Sequence, residues 1–235
     1  MDSSTTPTMP TVDQVLAEQQ RFMVKVYGWM SLGLVLTGLV ALYTASSEAL
    51  LGFIFGTKWV FFGLIILELI SVGILVSMIN RMSANLATFV FFIYAVLNGL
   101  TMSCIFIVYT ASSIASTFFV TAGTFAVMSI YGYTTKTDLS KWGNILFMGL
   151  IGLVIASIAN YFMQSETLYW ITSYAGVLIF VGLTAYDTQK IKNMNIIGNE
   201  GSDDDHKEAI MGALTLYLDF INLFLYLLRI FGRRR

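Results

Sequence analysis

Seven apolar runs, each close to the length that crosses a lipid bilayer, constrain this chain more than any other feature. They lie near 22–45, 59–79, 86–109, 113–134, 144–163, 168–190 and 209–230. A spanning helix needs about 20 apolar residues. Lipid offers no partner to an unpaired backbone group, so helices are the expected form. Composition agrees: 57% of residues are hydrophobic and 11% charged, against about 25% charged in soluble domains. The chain is therefore expected to be an all-α integral membrane protein. Both prolines, Pro7 and Pro10, lie before the first run, which removes one common cause of kinks from the spans. The connection at Ala111–Ser113 between the third and fourth runs is very short, so these two helices are expected to be antiparallel neighbours.

The first 20 residues are polar. They read as a flexible tail, residues 1–20, before a membrane domain of residues 21–235. They do not read as a cleavable signal, because no basic start and short apolar core precede a cleavage site. Lys and Arg placement sets the expected orientation. With the N-terminus in the cytoplasm, the inner segments hold Arg21, Lys25, Arg81, Lys136, Lys141, Lys190, Lys192 and Lys207, and the outer loops only Lys58. Arg229 and Arg233–Arg235 run against that bias. A re-entrant last helix would remove the conflict.

Two acids interrupt the last two runs, Asp187 in TSYAGVLIFVGLTAYDTQKI and Asp219 in AIMGALTLYLDFINLFLYLL. A carboxylate at membrane depth costs roughly 2.5–3.5 kcal/mol on the lenient insertion scale. Two on consecutive segments point to one shared polar site. The loop between the runs centres near residue 200, about 13 residues after Asp187 and 19 before Asp219. At 1.5 Å per residue the mismatch is roughly 9 Å, which tilt or an uneven loop can absorb. Two carboxylates brought together would share a proton. A divalent cation could replace it; calcium takes about 6–8 oxygen ligands, so carbonyls, hydroxyls or water would complete the shell.

Other polar residues recur at helical spacing. Thr215, Asp219, Asn222 and Tyr226 share one face, and Thr184 sits beside Asp187. Tyr94, Asn98 and Thr101 form a similar set, as do Ser157, Asn160 and Tyr161. Such residues also simply join membrane helices. Asp203–Asp205, His206 and Lys207 read as a solvated loop without the alternating ligand spacing of a calcium loop. Cys104 stands alone in an apolar run, which excludes an internal disulfide. One histidine is too few for a histidine-based metal hydrolase. No basic patch suggests nucleic acid.

Several segments resemble the Bax inhibitor-1 family: GLTAYDTQKIK (182–192), ALTLYLDFINLFLYLLRIFG (213–232), VYGWMSLGL (26–34) and the block from Ser103 to Ser140. The resemblance covers nearly everything after residue 20 and is strongest to bacterial inner-membrane members. It implies seven helices with the last one central and ringed by the other six. It also implies a pH-sensitive calcium leak channel with a paired-aspartate sensor, here Asp187 and Asp219. In bacterial relatives an arginine near the inner end of helix two latches the pair. Only Arg81 is available for that role, and it could equally be an interfacial anchor. Glu68, in the middle of helix two, either hydrogen-bonds as a neutral acid or lines the ion path.

The expected function is thus a non-enzymatic cation leak pathway of the bacterial inner membrane. It needs no cofactor, and its ligands are calcium ions and protons. The alternative is a non-transporting regulator of other membrane proteins, such as a membrane protease or a death-pathway partner. An intramembrane aspartyl protease is a weaker rival, because Leu216-Tyr217-Leu218-Asp219 lacks that motif's glycines. A retinal receptor needs a lysine in the last helix, and residues 209–230 contain none.

Overall fold

Serine and threonine side chains mark where the helices start. In the computed structural model, which describes residues 11–235, Thr11 accepts from the Gln14 backbone while the Gln14 side chain accepts from Thr11 N. This capping box starts α1 at Val12, and the helix runs unbroken to Ala45. The polar tail expected to reach residue 20 is therefore shorter: its last nine residues are the first turns of α1. Pro7, Pro10 and the rest of that tail lie outside the described residues. Ser47, Ser83, Ser165 and Ser202 cap four further helices.

In chain order the elements are α1 (Val12–Ala45), α2 (Glu48–Gly56), α3 (Lys58–Met78, extended by a tight turn Ile79–Arg81), α4 (Ala84–Met102), α5 (Cys104–Val108), α6 (Ala111–Thr134), α7 (Ser140–Met163), α8 (Glu166–Met194) and α9 (Asp203–Phe231). Seven segments are long and apolar enough to cross a bilayer: α1, α3 with its turn, α4 with α5, α6, α7, α8 and α9. The short α2 follows the first span. Among the described residues there is no strand, only one isolated bridge between Tyr109 and Arg234.

The last helix is the centre of the bundle. In its apolar window 61% of residues are buried, against 11% for α3 and 6% for α7. α9 packs directly on α1, α4, α6 and α8, while α3 closes the ring behind α4 and α7 behind α8. The outer helices turn large apolar side chains outward, such as Trp59 and Phe62 on α3 and Phe147 and Ile155 on α7. Lipid covers such a surface without the penalty water would impose. Close approaches need small residues. Gly132 on α6 lies against the Ala185 carbonyl of α8, and Gly176 on α8 lies against the Tyr226 ring of α9.

Two expectations change here. The turn between the third and fourth spans is Tyr109–Thr110, and Ala111–Ser113 already belong to α6. Contact between those spans is concentrated at α5, because α4 buries its main faces on α1 and α3 and α6 buries its own on α8 and α9. The re-entrant alternative for the last helix does not hold either. α9 is continuous over 29 residues, roughly 43 Å at 1.5 Å per residue, longer than the ~30 Å hydrocarbon core.

The two ends of the bundle are held differently. At the lysine-rich end the α8–α9 loop is pinned to α1 by a two-pronged Arg21–Glu200 pair (2.6 and 2.7 Å), and the first turn of α9 by Lys25–Asp205 (2.6 Å). Asp203 accepts from Ala84 N at the start of α4. Asp203–Asp205 are thus not a solvated loop but the first turn of α9, where acids meet the positive end of the helix dipole. Asp205 is buried, and His206 bonds Thr88 at 3.1 Å. At the opposite end, Arg233–Arg235 run beside Val108–Thr110 through Thr110 N to Arg233 O (3.0 Å) and Arg235 N to Val108 O (2.9 Å). The C-terminus and the start of α1 therefore lie at opposite ends.

Candidate functional site

Asp187 comes from the lysine-rich half of α8 and Asp219 from the middle of α9. Both are buried, at 8% and 5% exposure, and their side chains lie within hydrogen-bonding reach of each other. The uneven loop makes this possible. Asp187 is seven residues before the end of α8, and Asp219 sixteen after the start of α9. The loop of residues 195–202 spans the offset, turning at Gly198 and Gly201, whose φ values are +92° and +80°. Glycine adopts that conformation without strain. The second oxygen of Asp219, Oδ2, has no hydrogen-bond partner among the described residues.

The pair faces a cavity of about 550 Å³ between α7, α8 and α9. Asn144, Lys190, Thr215 and Asn222 also line it. Thr215 donates to Met211 O (3.0 Å) and Asn222 to Leu218 O (2.8 Å), so their oxygens remain acceptors. Phe180 and Leu183 line it as well, and toward the C-terminal end they pack with Leu153, Leu223 and Leu227. Among the described residues no group of three or more His, Cys, Asp or Glu is placed to hold a metal ion. The two carboxylates with Thr215 and Asn222 offer oxygen atoms to the cavity.

Other expected residues divide. Thr184 is fully buried and donates to its own helix at Phe180 O (2.7 Å), away from the cavity. Tyr226 stacks on Phe180 and lies under the Arg229 guanidinium, 4.9 Å from its ring centre. Ser157 and Asn160 serve local backbone bonds, and Tyr161 is exposed. Arg81 is exposed at the end of α3. Among the described residues it makes no ion pair, and it does not line the cavity of the aspartates. The latch contact is not made in this structure, since α3 packs on α2 and α4 rather than on α8 or α9.

Glu68 belongs to a second polar cluster, on the α1–α3–α4 side of α9. Thr101 donates to it at 2.7 Å, and Asn98 donates to the Tyr94 hydroxyl at 3.2 Å. Next to them Tyr217 meets Thr37 at 2.7 Å and packs edge-on against Tyr94. Sequence reasoning found Tyr94, Asn98 and Thr101 by spacing but missed Tyr217, which sits in an apolar run. It also treated Lys190 only as an inner charge, although three residues from Asp187 is helical-neighbour spacing.

The family model described as "Inhibitor of apoptosis-promoting Bax1" matches residues 19–235. The "Inner membrane protein YbhL" of Escherichia coli K12 is 55% identical over 230 residues, covering 97% of this chain and 98% of that protein. An uncharacterized protein of Borreliella burgdorferi is 44% identical over 222 residues, covering 94% and 96%. "Uncharacterized protein RP147" of Rickettsia prowazekii is 45% identical over 236 residues, covering 99% and 96%. A seven-span bundle around a central last helix, matched along nearly its whole length, makes this chain a member of the Bax inhibitor-1 family.

Proposed function

We propose that the protein is a pH-sensitive cation leak pathway, with calcium as the permeant ion and the Asp187–Asp219 pair as its sensor. One observation carries the reading: two buried carboxyl groups from different helices meet at a cavity lined by both polar and apolar side chains, inside a membrane-spanning bundle. Such a pair cannot hold two full charges side by side without a compensating proton or cation. Proton and calcium then compete for one place, and the competition is reciprocal. Lowering pH expels calcium, and raising calcium releases the proton. The apolar packing of Leu153, Phe180, Leu183, Leu223 and Leu227 is the barrier a cation has to pass.

The proposed membrane is the bacterial inner membrane, in line with the printed name of the Escherichia coli relative. The proposed orientation puts the lysine-rich end in the cytoplasm, following the lysine and arginine bias. The role is non-enzymatic. Calcium flux into liposomes containing the purified protein tests this. A pH-dependent flux above that of protein-free liposomes is the expected result. Flux equal to protein-free liposomes at every pH would favour a non-transporting regulator of other membrane proteins.

A further inference from the structure

At the C-terminal end of the bundle, away from the aspartates, α7, α8 and α9 enclose a cleft of about 510 Å³. Asn160, Gln164, Glu166, Tyr169, Arg229 and Arg234 line it. The two arginines flank Tyr169: Arg229 lies 5.9 Å and Arg234 6.0 Å from its ring centre, and Arg234 also donates to its hydroxyl at 3.4 Å. Among the described residues neither arginine makes an ion pair. A guanidinium carries five N–H donors, so most of these donors have no protein acceptor. Arg234 is held in place because its neighbours Arg233 and Arg235 are bonded to Thr110 and Val108. Glu166 is the one acid lining the cleft, so the lining charge is two arginines less one glutamate, net +1.

The surroundings point to the class of ligand. The cleft lies where α7 ends and α8 begins. Trp170 also lines it, and Tyr161, Phe162, Ile171 and Tyr174, close by in sequence, are well exposed. Aromatic side chains of this kind collect at the level of lipid headgroups. An anion at that depth with an apolar flank beside it is a phospholipid. Arginine forks match phosphate oxygens in pairs.

We propose that this cleft binds the phosphate of a phospholipid headgroup, with Arg229 and Arg234 sharing its oxygens and the acyl chains lying along the exposed flank of α7 and α8. The Glu166 carboxylate weakens the site for an anionic headgroup. The site is independent of the aspartate pair and of the flux reading.

Native mass spectrometry of the full-length protein in mild detergent, titrated with phosphatidylglycerol, tests it. The parent should retain the lipid, and inorganic phosphate at equal concentration should not displace it. Near a membrane surface each arginine contributes about fivefold in affinity, so R229Q/R234Q should bind roughly twenty-five-fold more weakly. R229K/R234K should retain part of the binding, since charge remains but the fork is lost. E166Q should bind phosphatidylglycerol more tightly. Equal lipid retention by parent and R229Q/R234Q would overturn the proposal. So would displacement by inorganic phosphate, which would mark a soluble-anion site. If the double variant does not fold, E166Q decides: unchanged affinity in that variant overturns the proposal.

Discussion

Asp187 and Asp219 meet side chain to side chain although they lie seven residues from the end of α8 and sixteen from the start of α9. The contact therefore depends on the α8–α9 loop, which carries the chain from the end of α8 to the start of α9. That loop is held in turn by Arg21–Glu200 and by the bond from Gly198 N to Glu18, and the start of α9 by Lys25–Asp205. Ion pairs at one end of the bundle thus hold the connection between the two helices that carry the buried carboxylates.

The first prediction concerns that clamp. Its hydrogen bonds to Arg21 hold the Glu200 carboxyl below the ordinary carboxylate range. A group whose folded value is lowered stabilises the fold above its unfolded value, about 4.3 for Glu, and loses that contribution as pH falls through the lower folded value. E200Q should lower the thermal midpoint slightly at neutral pH, because the pair is exposed. The difference from the parent should shrink as pH falls below about 4.3 and vanish below the lower folded value. Thermal scans of both proteins across pH check this; an equal deficit at acid pH would contradict it.

The second concerns counter-charge. Lys190 lines the cavity of the aspartates and Arg81 does not. Removing a positive charge beside the proposed cation site favours the cation, by an amount on the order of tenfold. K190Q should therefore bind calcium more tightly than the parent, while R81A should match the parent per folded molecule. A calcium titration of each variant decides it. A change in R81A with none in K190Q would restore the latch role of Arg81.

Much of this was legible in the sequence, for identifiable reasons. Span positions follow from run length, since the bilayer sets one scale for every helix. The aspartates stand out because a charge in an apolar run is costly. Glu68 stood out for the same reason, but its partner Thr101 lies on another helix and only packing brings them together. Arg81 has the composition of a latch, yet what α3 packs against is a three-dimensional fact. Asp205 looked like loop because three acids in a row look solvated; Ser202 capping and the distant Lys25 make it helical and buried. The early start of α1 was hidden because a capping box is short and the residues after it are polar.

The third prediction concerns topology. α9 crosses the bundle, so position 166 and the C-terminal residues lie at one end and position 138 at the other. In the proposed orientation, single cysteines at 138 should react with reagent from the cytoplasmic side and those at 166 from the opposite side, in a background lacking Cys104. Labelling of both positions from one side would contradict the fold, and exchange of the two sides would invert the orientation.

The fourth concerns the apolar barrier. Leu223 is fully buried in the apolar packing toward the C-terminal end of the cavity. L223A removes part of that seal, so calcium flux per folded molecule should rise at every pH. Buried leucine-to-alanine changes also cost about 2–5 kcal/mol of stability, so flux has to be normalised to folded protein. Unchanged normalised flux would place the barrier elsewhere.

The fifth prediction bears on the sensor itself, and its measurement is calcium flux through the purified protein in liposomes across pH, with the aspartates intact and changed. Asparagine keeps the size and hydrogen bonding of aspartate but does not titrate. D187N and D219N should each remove most of the pH dependence of flux while the protein remains folded. If both variants keep the parent's pH profile, the sensor lies elsewhere and the account of the aspartate pair is wrong.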